Sequence, residues 1–370
     1  GKKMKEKVEK YFLFDKKTLS NNYEAFRAAM PLNSEICYAM KANSELEVLR
    51  CIKDLGGTFE VASKYELATL KRLGVPPETI VYGTAVKPVD HIKAFFKYGV
   101  QRYAADSYQE LEKLAKYAPG SKVFVRTLVD DRSDSVFHMS EKFGSKLSEV
   151  VLLLTNAKRL GLVPIGISFN VGSQARNAQS WARGIDDVSK IMGELLDEGM
   201  HIECINIGGG FPFTYNKKEK FPDTNELAVF IRHAVEKLPY KVNIMAEPGR
   251  VLVADAYALV TSVIENNERP NGTWLYVDAG VYNALFEAMA FQGSTRYNIE
   301  PIGKSPSPQI EYVLTGPTGD NIDVIDPNVL LPQDMTLGDK LIIYDVGAYT
   351  FPLMTRFNGF PKPPTRELTE

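Results

Sequence analysis

Cysteine is scarce: Cys37, Cys51 and Cys204 are the only three in 370 residues, widely spaced and with no C-x-x-C pair. That argues against a disulfide framework or a cysteine zinc site, and fits a reducing compartment, the cytoplasm. Histidine is nearly as rare. His91, His138, His201 and His233 show no H-x-x-x-H spacing, so no metal is expected. Charge of one sign is not in excess; the net charge of −2 offers no basic surface in bulk, so nucleic acid is not an expected partner. No apolar stretch approaches the ~20 residues that span a bilayer. The start, GKKMKEKVEK, is basic and polar without an apolar core, so neither a membrane partner nor a secretory signal is expected. Repeats of fixed period and low-complexity stretches are also lacking.

What the chain does have is rhythm. At 370 residues it exceeds a typical domain, so one large domain with a smaller companion is expected. From residue 36, short β-rich runs alternate with stretches of helical period. The runs cover 36–41, 58–63, 79–85, 102–107, 122–128, 164–172, 205–210 and 243–249. Between them lie patterns such as ELEVLRCIKDLG, KYELATLKRLG and VDHIKAFFKYG, each closed by glycine, a common helix stop. Eight strands with a helical pattern in every gap predict an α/β fold, a TIM-like (β/α)8 barrel of parallel strands, which typically takes about 250 residues. After Arg250 the long helical patterns cease. VLVADAYALVTSVIENN, TWLYVDAGV, IEYVLTG and DKLIIYDVGAY read as strands between turns, a mostly antiparallel C-terminal β domain. The isolated run KYFLFD is expected to pair into it. The expected division is 16–250 for the barrel, and 1–15 with 251–370 for the β domain.

In such barrels chemistry gathers at the carboxyl ends of the strands. EICYAMKANSEL sets an apolar run directly before Lys41. Most lysines lie at the surface with a snorkelling stem; one ending a buried strand is a candidate for a Schiff base with an aldehyde or ketone. The seventh run ends INIGGGFP. Gly208, Gly209 and Gly210 allow backbone N–H groups to approach an anion, although a lone triple glycine is also a plain turn. The eighth run gives AEPGR, with Glu247, Gly249 and Arg250. Phosphate sites in these barrels form near strands seven and eight, so the glycines and Arg250 suggest a bound phosphate. A lysine, a phosphate cradle and a carboxylate for a ring nitrogen are together what pyridoxal 5'-phosphate requires.

CYAMKAN, GGTFEVASKYEL, LGVPPETIVYGTAVK, EKFG, GISFNVGSQ, NIGGGFP, AEPGR, VDAGVYN, TGPTGDNIDV and VGAYT…FNGF follow one another in this chain. On these motifs, over nearly its whole length, it resembles the fold-type III pyridoxal-phosphate decarboxylases of ornithine, lysine, arginine and diaminopimelate, and most of all the ornithine decarboxylase branch. The group's fold, alanine racemase-like, is a barrel plus a β domain. The resemblance implies that Lys41 bonds the cofactor, that Glu247 pairs with its pyridine nitrogen, and that Arg250, the backbone of Gly208 to Gly210, Ser173 and Tyr349 hold the phosphate, with Gly249 beside them. It implies that Arg126 supports the cofactor from below and that Glu60 and Glu66 lie near it; Glu60 stands where the ornithine branch has aspartate. The implied activity is decarboxylation of a basic amino acid, or a derivative, by a head-to-tail homodimer with shared active sites. There the GPTGD loop and the neighbourhood of Tyr349 from one copy complete the site of the other.

Two positions depart from the group's pattern. Gly319 stands where a partner-supplied cysteine delivers or positions the Cα proton, and glycine has no side-chain proton to give. Asn170 stands where a histidine ring stacks on the cofactor; asparagine stacks less and does not titrate. Either another donor or water serves, or the outcome at Cα differs or a bulkier substrate uses the space, or the site is an inactive relic. Asp320, which in the ornithine branch meets the distal ammonium of the substrate, is kept. The specificity segment EAMAFQGSTRYNIEP offers Glu287 as a second acid, and Arg296 as either structural or a partner for a substrate carboxylate. The catalytic candidates are Lys41, Glu247, Asp320, Asn170 and Gly319. Beside ordinary decarboxylation stand two other readings: altered Cα chemistry on a siderophore- or antibiotic-type substrate, and a non-catalytic regulator like the antizyme inhibitors.

Overall fold

A computed structural model describes residues 7–129, 142–216, 219–290 and 297–369. Its contacts divide the chain into two units. One holds Ser20–Phe213 and Phe221–Val251; the other holds Gly1–Leu19, Thr214–Lys220 and Leu252–Glu370.

Strand β1 is Tyr11–Phe14. Strands β2 (Glu35–Ala39), β3 (Thr58–Val61), β4 (Ile80–Tyr82), β5 (Arg102–Ala105), β6 (Lys122–Arg126), β7 (Val163–Ser168), β8 (Cys204–Asn206) and β9 (Asn243–Ala246) are parallel. They close in that order into the expected eight-stranded barrel, with β9 pairing back to β2. Capping residues turn the chain from strand to helix. Ser63, Ser107 and Asp223 accept the backbone N–H of Glu66, Glu110 and Glu226 at 3.1, 3.1 and 2.9 Å, opening the helices Lys64–Arg72, Tyr108–Tyr117 and Thr224–Glu236. Gly99, left-handed at φ 104°, ends the helix Val89–Tyr98. Cys37, Val81, Phe124, Ile165, Cys204 and Met245 form a buried cluster from six barrel strands. Burying an apolar side chain of valine to phenylalanine size contributes roughly 1.5–3 kcal/mol, so this layer is packed core rather than pore.

The strands are shorter than the apolar runs that announce them. Gly208 (φ 69°) and Gly210 (φ 85°) are left-handed, so the run 205–210 keeps strand geometry only to Asn206, although Ile207 stays buried. Lys41 needs a correction of the same kind. β2 closes at Ala39, and Met40–Ala42 form one 3-10 turn in which Met40 and Ala42 are buried and Lys41 is exposed. The apolar run thus ends in a turn whose central side chain is exposed.

The second unit contains β1 with β10 (Tyr257–Arg269), β11 (Gly272–Val277), β12 (Ile299–Ile302), β13 (Gln309–Thr315), β14 (Val324–Pro332), β15 (Lys340–Ile343) and β16 (Thr365–Glu367). The sheet order is β12-β15-β10-β11-β13-β14, and β1 pairs with β10 and β16. Pairing is mostly antiparallel, as expected, with β11–β13 and β1–β16 parallel. The run KYFLFD joins this sheet because Phe12 and Phe14 are buried in it. Their rings lie 4.6 Å from Phe351 and 4.8 Å from Tyr257 respectively. Among the described residues, no helix is long and apolar enough to cross a membrane, and no cluster of His, Cys, Asp and Glu converges as a metal site.

Candidate active site

Charged side chains from four barrel segments meet at the carboxyl end of the strands. Glu60 belongs to β3, Arg126 ends β6, Glu247 follows β9 and Lys41 follows β2. Burial raises the Glu60 carboxyl above its usual range, against the opposing charges of Lys41 and Arg126. Burial first, then the Glu60 charge, pushes Glu247 up to about 8; a hydrogen bond from Asn206 and the charges of Lys41 and Arg126 pull the other way. Burial lowers Arg126 below its usual value, while Glu247, Glu60 and Asp106 counteract it. The Arg126 guanidinium lies 5.4 Å from the centre of the Phe143 ring. Glu66 accepts the Ala62 N–H at 2.7 Å, and burial brings its carboxyl up to about 7.

Asn206 ties this cluster to the glycines. Its Oδ1 accepts the Gly208 N–H at 2.9 Å while its amide donates to Glu247. The Glu247 N–H in turn donates to the Gly208 carbonyl at 2.9 Å. A Cβ added at Gly208 would strike the carbonyl of Phe169, at Gly209 that of Glu247, and at Gly210 that of Gly172. Asn170 shapes the facing loop, its Oδ1 accepting the Gly172 N–H at 2.8 Å just before Ser173. Gly249 rests against the Lys41 turn, where an added Cβ would lie 3.0 Å from that of Ala42. Arg250, 4% exposed, follows it. Ala104, Phe124, Arg126, Asn170, Asn206 and Glu247 help line a cavity here.

These residues fit pyridoxal phosphate. Glu247 Oε2 is shielded from solvent and has no hydrogen-bond partner, a rare state for a buried acceptor, and a ring N–H would satisfy it. The glycine triplet leaves no room for side chains, as close approach of backbone to a phosphate requires.

The remaining candidates lie in the second unit. Asp320 accepts the Tyr282 hydroxyl at 2.6 Å and the Ile322 N–H at 3.1 Å. The tyrosine bond holds Asp320 below the usual carboxylate range and pushes Tyr282 up to about 12. Fully buried Asp323 organises the loop, accepting the Val281 N–H at 2.9 Å and the Thr318 hydroxyl at 2.6 Å. Gly319 is exposed and donates its N–H to Asn358 Oδ1 at 3.1 Å; an added Cβ would meet no atom within 4 Å. Tyr349 is left-handed at φ 54°, and Glu287 is buried. Arg296, with the rest of 291–296, and Glu141 of EKFG lie outside the described residues.

Residues 16–254 match the family model described as pyridoxal-dependent decarboxylase, pyridoxal binding domain. The chain belongs to this family. It is 33% identical to the lysine/ornithine decarboxylase of Selenomonas ruminantium over 347 residues, covering 94% of this chain and 86% of that one. It is 34% identical to antizyme inhibitor 2 of Xenopus laevis over 372 residues, covering 96% and 80%. Among solved structures, the lysine/ornithine decarboxylase of Vibrio vulnificus complexed with putrescine is similar, with a TM-score of 0.88, 30% identity and coverage of 97% and 94%. The family's cofactor is the one the barrel residues fit.

Sequence reasoning misses three side chains that this decarboxylase fold brings into play. Asn206 stands two residues before Gly208 in NIGGG, an Asx-turn signal that would have found it. Asp106, just past β5, accepts the Gly144 N–H at 2.9 Å, a contact across 38 positions that no local pattern announces. Tyr282 lies inside VDAGVYN, but only its bond to Asp320 gives it a role.

Proposed function

We propose that the chain decarboxylates a cationic amino acid, or a derivative of one, using pyridoxal phosphate bonded to Lys41. The observation that carries this reading is Glu247 Oε2, shielded and without a donor, in the field of the Lys41 and Arg126 charges. Pyridoxal phosphate, when bound, supplies an electron sink for the pair left at Cα as CO2 departs. Glu247, with Oε2 unpartnered, would hold a proton on the ring nitrogen. Arg126 and Lys41 favour the ionised form of Glu247 and Glu60. Lys41, on its exposed turn, would bond the cofactor aldehyde. The Gly208 to Gly210 backbone, Arg250 and Ser173 would receive the phosphate. Asn170 has its Oδ1 committed to Gly172 and acts as a loop former rather than a titrating group. Asp320, kept ionised and oriented by Tyr282, takes the distal ammonium of the substrate. In this reading two copies pair in the cytosol, and the loop of Gly319 and Asp320 serves the barrel of the partner.

The likeness to lysine/ornithine decarboxylases favours lysine or ornithine as substrate. A bulkier derivative is the alternative, since glycine at 319 leaves out the side chain that the group's pattern has there. A non-catalytic role fits poorly with Lys41, Glu247, Arg250 and the triple glycine all being present. The deciding experiment is a mass-spectrometric product screen of the cofactor-loaded protein against ornithine, lysine, arginine, diaminopimelate and their D-forms. One amine with loss of CO2 is the expected outcome; cofactor binding without any amine would exclude these substrates.

With the substrate in hand, Asp320→Ala is expected to raise its KM roughly tenfold or more, because an ammonium loses its charged partner. An unchanged KM would put the distal group elsewhere. Gly319→Cys requires no rearrangement and is expected to speed ordinary amine formation several-fold if proton delivery to Cα limits the rate. The same rate and product as the parent would reject that account.

A further inference from the structure

Behind the cofactor pocket lies a buried lysine that the mechanism above does not use. Lys87 is 1% exposed. Its ammonium donates to the Ala104 carbonyl, lies 3.2 Å from Glu110 Oε2 and stands 5.5 Å from the centre of the Tyr82 ring. Glu110, itself 2% exposed, is held on its other oxygen by Lys113 at 2.6 Å. Buried ion pairs are often replaceable by apolar side chains of similar volume without loss of stability, so stability alone is a weak account of this one.

Asp106 is the joint between this pair and the pocket. Its charge acts on Lys87 on one side and on Arg126 on the other. Its Oδ2 holds the Gly144 N–H at 2.9 Å, and the adjacent Phe143 ring faces the Arg126 guanidinium at 5.4 Å. Ala104, whose carbonyl Lys87 binds, lines the same cavity as Arg126 and Glu247. Charges of alternating sign therefore act on one another in the order Lys113, Glu110, Lys87, Asp106, Arg126, then Glu247 and Glu60.

We propose that Lys87 and Asp106 are positioning residues of the cofactor pocket: Lys87 offsets Asp106, so that Arg126 serves the Glu247 and Glu60 carboxylates rather than being drawn to Asp106. The functional side of this proposal rests on the reading that Glu247 partners the ring nitrogen. The charged groups acting on Glu247 are Glu60, Lys41 and Arg126, and the thiols of Cys37 and Cys204 feel its charge. Those acting on Arg126 are Glu247, Glu60 and Asp106. Those acting on Lys87 are Glu110, Lys113 and Asp106.

Neutralising the two residues has opposite consequences. Lys87→Met leaves Asp106 free to compete for Arg126, so Glu247 binds its proton more tightly. Asp106→Asn keeps an acceptor for the Gly144 N–H but releases Arg126, so Glu247 binds its proton less tightly. The expected shifts in the Glu247 midpoint are about half a unit to one unit, upward and downward respectively, the size a unit charge exerts across a partly buried gap.

The test is an infrared titration of the full chain without cofactor, with the Glu247 carboxyl band assigned by difference against Glu247→Gln. Midpoints that split in opposite directions support the proposal. Midpoints that move together, as a loosened and hydrated pocket would make them, or that do not move, overturn it. If Lys87→Met melts before it can be titrated, Asp106→Asn decides alone, and anything but a downward shift overturns the proposal. Pyridoxal phosphate affinity at neutral pH is the second readout, expected to fall about three- to tenfold in Lys87→Met. Split midpoints with unchanged affinity would leave the charge chain standing and sink the ring-nitrogen role of Glu247.

Discussion

Lys41→Ala is expected to abolish turnover and to remove the visible absorbance of covalently held pyridoxal phosphate, while the cofactor still binds reversibly. The fold should hardly notice. Lys41 is exposed, and the turn that carries it is fixed by buried Met40 and Ala42, so at acid pH, where the pocket carboxyls are neutral, the melting temperature of the cofactor-free chain should stay close to that of the parent. The variant also loses the charge that lowers the proton affinity of Glu60, Glu66 and Glu247, so all three titrate higher in the empty pocket. An absorbance spectrum unchanged from the parent would refute the assignment of Lys41; a large loss of melting temperature would show the turn to be structural instead.

Glu247→Gln is expected to act in opposite directions on function and stability. In the cofactor-free chain the Glu247 carboxyl is pushed from an ordinary 4.5 up to about 8. Between those two values the folded state binds more protons than the unfolded state, so stability falls as pH rises through that window. Glutamine removes this contribution. The cofactor-free variant should melt with the parent at pH 5 and several degrees above it at pH 8. Glu66 and Asp345, both raised to about 7, keep a residual slope in both proteins, so the difference between the two curves reports Glu247 together with Glu60, whose charge acts on it. The loaded variant should lose about 10²-fold or more in turnover, because glutamine cannot hold a proton on the ring nitrogen. Calorimetry of both proteins at the two pH values, with and without pyridoxal phosphate, is the check. Coincident melting at pH 8 would mean that the carboxyl is not destabilised there.

The barrel is legible in the sequence because its signal is periodic and local: apolar runs of strand length and helical stretches closed by glycine. Gly208 to Gly210 and AEPGR are legible for a related reason, since each acts within a few consecutive residues. What is not legible depends on side chains meeting across the barrel. Lys41 looks buried because the apolar run reaches Met40, yet hydrophobicity does not reveal that Met40–Ala42 coil into a turn. Asn206 joins Gly208 to a carboxylate 41 positions away, and only the near half of that arrangement has a sequence pattern. Asp106 and Lys87 leave no trace beyond ordinary charge, because their alternation runs through space between neighbouring barrel segments rather than along the chain.

The burial of all three cysteines gives the protein an experimental convenience. Thiol reagents attack the thiolate, and burial pushes Cys204 up to about 12 and Cys37 well above the usual range. In the folded chain a maleimide should therefore find almost nothing to label, and the rate at which it does label becomes a clock for opening of the barrel. A cysteine introduced at exposed position 319 would be the single fast-reacting thiol. A fluorophore attached there sits one residue from Asp320, and a change in its emission on adding a cationic amino acid, read against a silent background, would test the role proposed for that carboxylate.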